Sequence, residues 1–294
     1  MPADSHIVIT DSGLGGLSIC AALERSLRQA RPARAVRLTY VNAWPFDDRG
    51  YNDLPDNDAR ARVFDAALAR IAQMQPDRIL IACNTLSILY PRTVFSRNPP
   101  VPVHGIVDAG VDLFVQRLAA DPDASIVLLG TKTTIESRVH EERLGQKGID
   151  PRRIAAVSCH GLAGAIEHDV DGPRAAALIG ECAARAASAA PPGSVVFLGL
   201  CCTHYGYVAD RLVDAVSALG SRRVLALDPN LLLTAELVAD AATTELARGS
   251  VSVELVSKVT LSETARAGIA RLVEPVSAAT ASALLSYAHV PDLF

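Results

Sequence analysis

Short, almost unbroken apolar runs alternate with longer stretches of helical period, and the series starts again about 120 residues in. His6–Thr10, Val36–Val41 and Arg78–Ala82 read as strands. Leu17–Gln29 and Asp58–Met74 read as the helices between them. Strands that are continuously apolar, rather than alternating, suit a parallel sheet covered on both faces. Strand–helix–strand alternation makes the fold α/β. The second series runs through Ser125–Leu129, a helix over Thr134–Leu144, Ile154–Ser158, an Ala-rich helix over Pro173–Ala189, and Ser194–Leu198. The Pro-rich segment Asn98–Pro102 separates the two series as a crossover or hinge.

The restart keeps a nearly constant offset. Asp11, at the end of the first strand, and Thr131, after its counterpart, lie 120 positions apart; Cys83 and Cys202 lie 119 apart. Sites match as well as strands, which points to two similar α/β domains with parallel sheets related by a pseudo-twofold. The tail reads as a strand at Arg223–Leu227, a helix at Asn230–Ala247, a strand near Val251–Val259 and a C-terminal helix. A return of this tail to the first domain gives expected boundaries of 1–102 plus 226–294 for one domain and 103–225 for the other.

Half of the 294 residues are hydrophobic and one-fifth charged, which is globular rather than disordered. The net charge of −4 argues against a nucleic-acid surface. The N-terminus MPADSHIVITDSG does not read as a secretory signal, and the apolar runs fall far short of the ~20 residues of a membrane span. The expectation is a cytoplasmic protein without membrane or nucleic-acid partners. Six cysteines are present, with no CxxC pair and no zinc-site spacing, so neither a disulfide framework nor a metal is expected.

In open parallel sheets ligands bind beyond the carboxyl ends of the strands. Four polar turns fall there: Asp11-Ser12-Gly13, Cys83-Asn84-Thr85, Gly130 to Thr134, and Cys202-Thr203-His204. Their hydroxyls, amides and backbone N–H groups suit a small carboxylate. A lone cysteine after a strand is usually a small buried hydrophobe. Two at equivalent points of two half-domains suit a chemistry in which a proton leaves one face of a carbon and another arrives at the opposite face. A thiol, with an ordinary pKa of about 8.5, holds either form at modest cost. Asp11 is a partner for Cys83 or merely a helix N-cap near Leu14; His204, two residues from Cys202, is a base for that thiol or a structural histidine. The Gly-rich DSGLGG is neither G-x-G-x-x-G nor a P-loop, and the only lysines, Lys132, Lys147 and Lys258, make a pyridoxal cofactor an unfavoured choice.

The segments DSGLGGLS (11–18), IACNTLS (81–87), GTKTTIES (130–137) and GLCCTHYG (199–206) resemble the aspartate/glutamate racemase family, and bacterial glutamate racemases within it. The resemblance implies two α/β domains with the active site in the cleft between them, and no cofactor. It implies Cys83 and Cys202 as catalytic thiols, with Asp11 and His204 as their auxiliary acid/base partners and Glu167 as a further catalytic residue, in the place of the family's glutamate near the second cysteine. Ser12, Asn84, Thr85, Thr134 and Thr203 are implied as substrate-binding, as is Tyr51 in the family's tyrosine place. A homodimer is implied by analogy.

The departures fall in one region. The family's Pro-Tyr-Gly turn is replaced by the longer NAWPFDDRGYNDLP, with Asn52 in the glycine place. Arg49 there either binds a carboxylate bidentately or pairs with Asp47 or Asp48 at the surface. Cys201 replaces a glycine and reads as a packed bystander; His160 replaces a proline. The expected function is cofactor-independent racemisation of glutamate or a related acidic amino acid. The alternatives are aspartate racemisation, isomerisation of a dicarboxylate, and non-catalytic amino-acid binding. A vicinal Cys201–Cys202 redox pair is disfavoured by the strain of its disulfide.

Overall fold

The computed structural model describes residues 5–32, 34–233 and 249–294. The chain divides into two compact units, residues 1–106 with 233–294, and residues 107–232.

The first unit is built on six strands: β1 (Ser5–Asp11), β2 (Val36–Asn42), β3 (Arg78–Ile81), β4 (Val103–Gly105), β9 (Val251–Ser257) and β10 (Ala288–His289). They form one sheet in the order β10-β9-β2-β1-β3-β4. All pair in parallel; β2 runs beside β9 from Val36↔Val251 to Asn42↔Ser257. The interiors of β1, β2 and β3 are mostly apolar and are buried except at Arg37, as suits a doubly covered sheet. Helix α2 (Asn57–Gln73), capped by the Asp56 side chain, buries Phe64, Ala67, Leu68 and Ile71 against Val8, Val41, Ile79 and Ile81. Helix α1 (Leu17–Ala30) packs with Ala278–Leu285 and against β2 and β9.

The second unit holds four strands: β5 (Ser125–Gly130), β6 (Ile154–Ser158), β7 (Val195–Cys201) and β8 (Arg223–Leu227). They run in parallel in the order β6-β5-β7-β8. This order repeats β2-β1-β3-β4 of the first unit, strand for strand. Helices α4 (Ile106–Ala120), α7 (Leu162–His168), α8 (Pro173–Ala189) and α9 (Ala209–Ser217) complete it with two more described next.

Several elements differ from the sequence expectation. The helix expected over Thr134–Leu144 is two helices, α5 (Lys132–Glu136) and α6 (Val139–Gln146), because Arg138 between them takes a left-handed φ of 57°. The C-terminal helix is also two, Glu263–Val273 and Ala278–Leu285, and Val103–Gly105 is a strand that a Pro-rich flank hid. Most of the helix expected at Asn230–Ala247 lies outside the described residues. Cys159 and Cys182, treated singly in the sequence, form a disulfide between the end of β6 and α8, with Cα atoms 5.5 Å apart. Among the described residues no helix is long and apolar enough to cross a membrane.

Candidate active site

In the first unit, Asp11 ends β1 and Cys83 follows β3, with Cys83 at the N-cap of helix α3 (Asn84–Leu89). The Gly-rich turn after β1 explains how these ends come together. A Cβ on Gly16 would lie 2.7 Å from Ala82 Cβ and 2.8 Å from Asp11 Oδ2, so only glycine allows this approach. Helix α1 starts at Leu17 with Gly16 as its N-cap. Ser12 Oγ lies 3.1 Å from Cys83 Sγ, within hydrogen-bonding range for sulfur. Asp11, Asn84 and Thr85 are buried beside them.

Tyr51 belongs to the same hydrophobic cluster as Cys83. Its hydroxyl is buried and has no hydrogen-bond partner among the described residues. Burial, and then the neighbouring Cys83, push the phenol well above its usual pKa. Arg60 fixes the loop that carries Tyr51, donating from Nε to Tyr51 O at 2.8 Å and from Nη2 to Leu54 O at 2.7 Å. Arg49 takes the surface arrangement: it lies 4.9 Å over the Phe46 ring and 3.9 Å from Asp48.

In the second unit, Cys202 follows β7 and is the N-cap of a 3-10 segment, Thr203–Val208. His204 is buried; its Nδ1 faces Cys202 Sγ at 3.9 Å and its Nε2 lies 2.6 Å from Glu167 Oε2 on α7. Burial disfavours the imidazolium, but the hydrogen bonds and negative charge of Cys202 and Glu167 outweigh it and raise the His204 pKa well above its usual value. His204 therefore stands between a thiol and a carboxylate, able to pass a proton to or from sulfur.

Thr131 caps α5 and donates to Thr134 Oγ1 at 3.1 Å, so the Thr134 hydroxyl sits at the carboxyl end of β5. Thr203 is buried, and its carbonyl accepts from Asn230, a residue the motifs did not flag. Cys201 points into the core of the sheet, where burial pushes its thiol up, as a packed bystander requires. Within each unit the predicted residues thus gather at the carboxyl ends of the strands: Asp11, Ser12, Tyr51, Cys83, Asn84 and Thr85 in the first, Thr134, Glu167, Cys202, Thr203 and His204 in the second. Among the described residues no group of three or more His, Cys, Asp or Glu side chains is arranged to hold a metal ion.

Two parallel α/β units of matching strand order, each with a cysteine opening the helical segment after its third strand, define a duplicated α/β protein with a thiol at matching strand ends. Residues 7–237 match the Asp/Glu/Hydantoin racemase family, and the chain belongs to it. A relative from Campylobacter jejuni named glutamate racemase is 32% identical over 142 residues, covering 48% of this chain and 52% of that protein. The chain thus spans about half of that relative's length in the match. A glutamate racemase from Granulibacter bethesdensis is 31% identical over 230 residues, covering 77% of this chain and 75% of that protein. Among solved structures, Campylobacter jejuni glutamate racemase superposes with a TM-score of 0.67 at 22% identity, covering 92% of this chain and 98% of that one. The likeness extends the shared fold to nearly the whole of both chains.

Proposed function

We propose that this chain is a cofactor-independent amino-acid racemase of the glutamate racemase type, working through Cys83 and Cys202. The observation that carries the reading is the equivalence of the two thiols: each follows the third strand of its unit, and each has a hydrogen-bonding partner at its sulfur. Both relatives described above bear the name glutamate racemase, which supports glutamate as the first substrate to try.

In this reading one thiolate removes the α-proton and the other thiol delivers a proton to the opposite face of the carbanion. Direction reverses simply by exchanging the protonation states of the two sulfurs. On the Cys202 side, His204 exchanges the proton with sulfur while Glu167 holds the imidazole and stabilises its charge. On the Cys83 side, Ser12 orients the thiol and Asp11, at the end of β1, is the auxiliary acid/base group. Asn84, Thr85, Thr134 and Thr203 supply polar contacts for the amino and α-carboxylate groups, and their hydrogen bonds stabilise the developing carbanion. Tyr51, from the loop that departs most from the family pattern, contacts the substrate's side chain.

The test is proton exchange in D2O with each enantiomer of glutamate, then of aspartate and neutral amino acids. Cα deuteration is followed by NMR and inversion by chiral chromatography. The expected result is exchange with inversion that disappears in both Cys83→Ala and Cys202→Ala. Absence of exchange with every amino acid overturns the reading, and a stable Cys83 adduct with an unsaturated dicarboxylate, seen by mass spectrometry, replaces it with isomerisation.

A further inference from the structure

The turn that carries Cys202 is held from outside its own motif. After β8 the chain continues as Asp228-Pro229-Asn230. Asn230 is buried, and its Nδ2 donates to Thr203 O at 3.0 Å. Its backbone N–H donates to Asp228 Oδ1 at 3.0 Å. Pro229, with its fixed φ, rests on α4, where a Cβ on Gly110 would lie 3.2 Å from Pro229 Cγ. The other side of the bracket closes over Gly206. A Cβ there would lie 2.5 Å from Asp228 Oδ2 and 3.1 Å from Asn230 Nδ2, so these side chains sit directly on the backbone of the 203–208 segment.

The position of that contact matters. The carbonyl of Thr203 and the N–H of His204 belong to one rigid peptide plane. A hydrogen bond that fixes Thr203 O fixes the orientation of the plane from which the His204 side chain departs. Cys202 Sγ and Glu167 meet that imidazole on its two nitrogens, so a small rotation of the plane misaligns both. Misplacing a proton-transfer pair by a fraction of an ångström slows the step without unfolding anything.

We infer that Asn230, oriented by Asp228, is a positioning residue for proton transfer at Cys202, acting through the Thr203–His204 peptide. The inference rests on the two-thiol racemase reading, and its test is built so that the two can fail separately. Asn230→Leu keeps the approximate shape and removes the donor. Enantiomers have equal free energies, so kcat/KM must fall equally in both directions, here by about tenfold to a hundredfold for loss of one buried hydrogen bond and its alignment. The Cα-deuterium isotope effect, by contrast, rises only for the enantiomer whose proton the Cys202 thiolate removes. A purely structural loss leaves the two isotope effects in their wild-type ratio. In parallel, alkylation by iodoacetamide, followed residue by residue by mass spectrometry, changes at Cys202 and not at Cys83.

Asp228→Asn retains an acceptor for the Asn230 N–H and keeps kcat/KM within about threefold, whereas Asp228→Ala reproduces the one-sided effect. These two variants decide the matter with the same readouts where Asn230→Leu does not fold. If the wild-type protein turns over no amino acid, the racemase reading fails and the alkylation ratio alone judges the bracket. Symmetric isotope effects together with an unaltered Cys202-to-Cys83 alkylation ratio in folded Asn230→Leu overturn the inference.

Discussion

His204 Nε2 lies 2.6 Å from Glu167 Oε2, while Nδ1 of the same ring faces Cys202 Sγ at 3.9 Å. A neutral imidazole has one N–H and serves only one of these partners as donor; an imidazolium serves both. The carboxylate, together with Cys202, therefore favours the charged form of the ring, although it is 37 residues away in sequence from the histidine. Glu167→Gln keeps an acceptor oxygen in place and removes the charge. The His204 pKa should fall, and the pH limb of kcat that reports it should move to lower pH, with a loss of about tenfold to a hundredfold in kcat. Rate profiles of wild type and variant across pH 5 to about 10 check this. A coincident profile removes Glu167 from the proton path.

The same pair has a signature in stability. The folded-state pKa of His204 is raised above its unfolded value, so the folded protein binds the proton more tightly. The sign is therefore fixed: the contribution is complete below the ordinary histidine value of about 6.5 and fades as pH rises through the elevated folded value. His204→Asn should be most destabilising relative to wild type near pH 6 and progressively less so in the alkaline range. Thermal melts of both proteins across that range measure it, and a difference that grows with pH contradicts the assignment.

Asp228 carries the opposite chemistry. Burial pushes its carboxyl up to about 6, only partly opposed by the Asn230 N–H. The folded state here favours the neutral acid, so stability is greatest below the ordinary aspartate range and is lost as pH rises through about 6. Asp228→Asn removes the charge that is costly to bury. It should stabilise the fold by on the order of 2 kcal/mol at neutral pH and make little difference near pH 4. Denaturant titrations at the two pH values decide it; equal effects at both show that the carboxyl does not titrate in this window.

The strand ends and their turns were legible because continuous apolar runs mark parallel strands whatever packs against them, and polar residues that interrupt such runs stand out. Cys83, Cys202 and His204 lie at those interruptions. What was hidden depends on tertiary contact. Thr134–Leu144 looks like one helix because its pattern continues across Arg138, whose φ of 57° is a backbone event without a sequence mark. Cys159 and Cys182, separated by 23 residues, meet only because β6 and α8 pack together. Asp228-Pro229-Asn230 falls where the expected strand Arg223–Leu227 gives way to the helix expected from Asn230, and its grip on Thr203 follows from β8 lying beside β7. The matching strand orders, by contrast, follow the offset of about 120 residues already visible between Asp11 and Thr131.

Tyr51 offers a prediction in which stability and function move in opposite directions. Its hydroxyl is buried without a partner among the described residues, while Arg60 holds the backbone around it. A buried hydroxyl left unsatisfied costs about 1–3 kcal/mol, so Tyr51→Phe should raise stability by an amount in that range, or Tm by a few degrees. Such a cost is retained where the group serves a ligand. If the hydroxyl meets the substrate's side chain, Tyr51→Phe should raise KM for the acidic amino acid by about tenfold with a smaller change in kcat, as loss of a contact common to ground and transition states does. Melting curves and steady-state kinetics on the one variant read both halves. A less stable variant shows that the hydroxyl is satisfied in the folded protein. A more stable variant with the wild-type KM places Tyr51 in the wall beside Cys83, supporting the thiol's surroundings and making no contact with substrate.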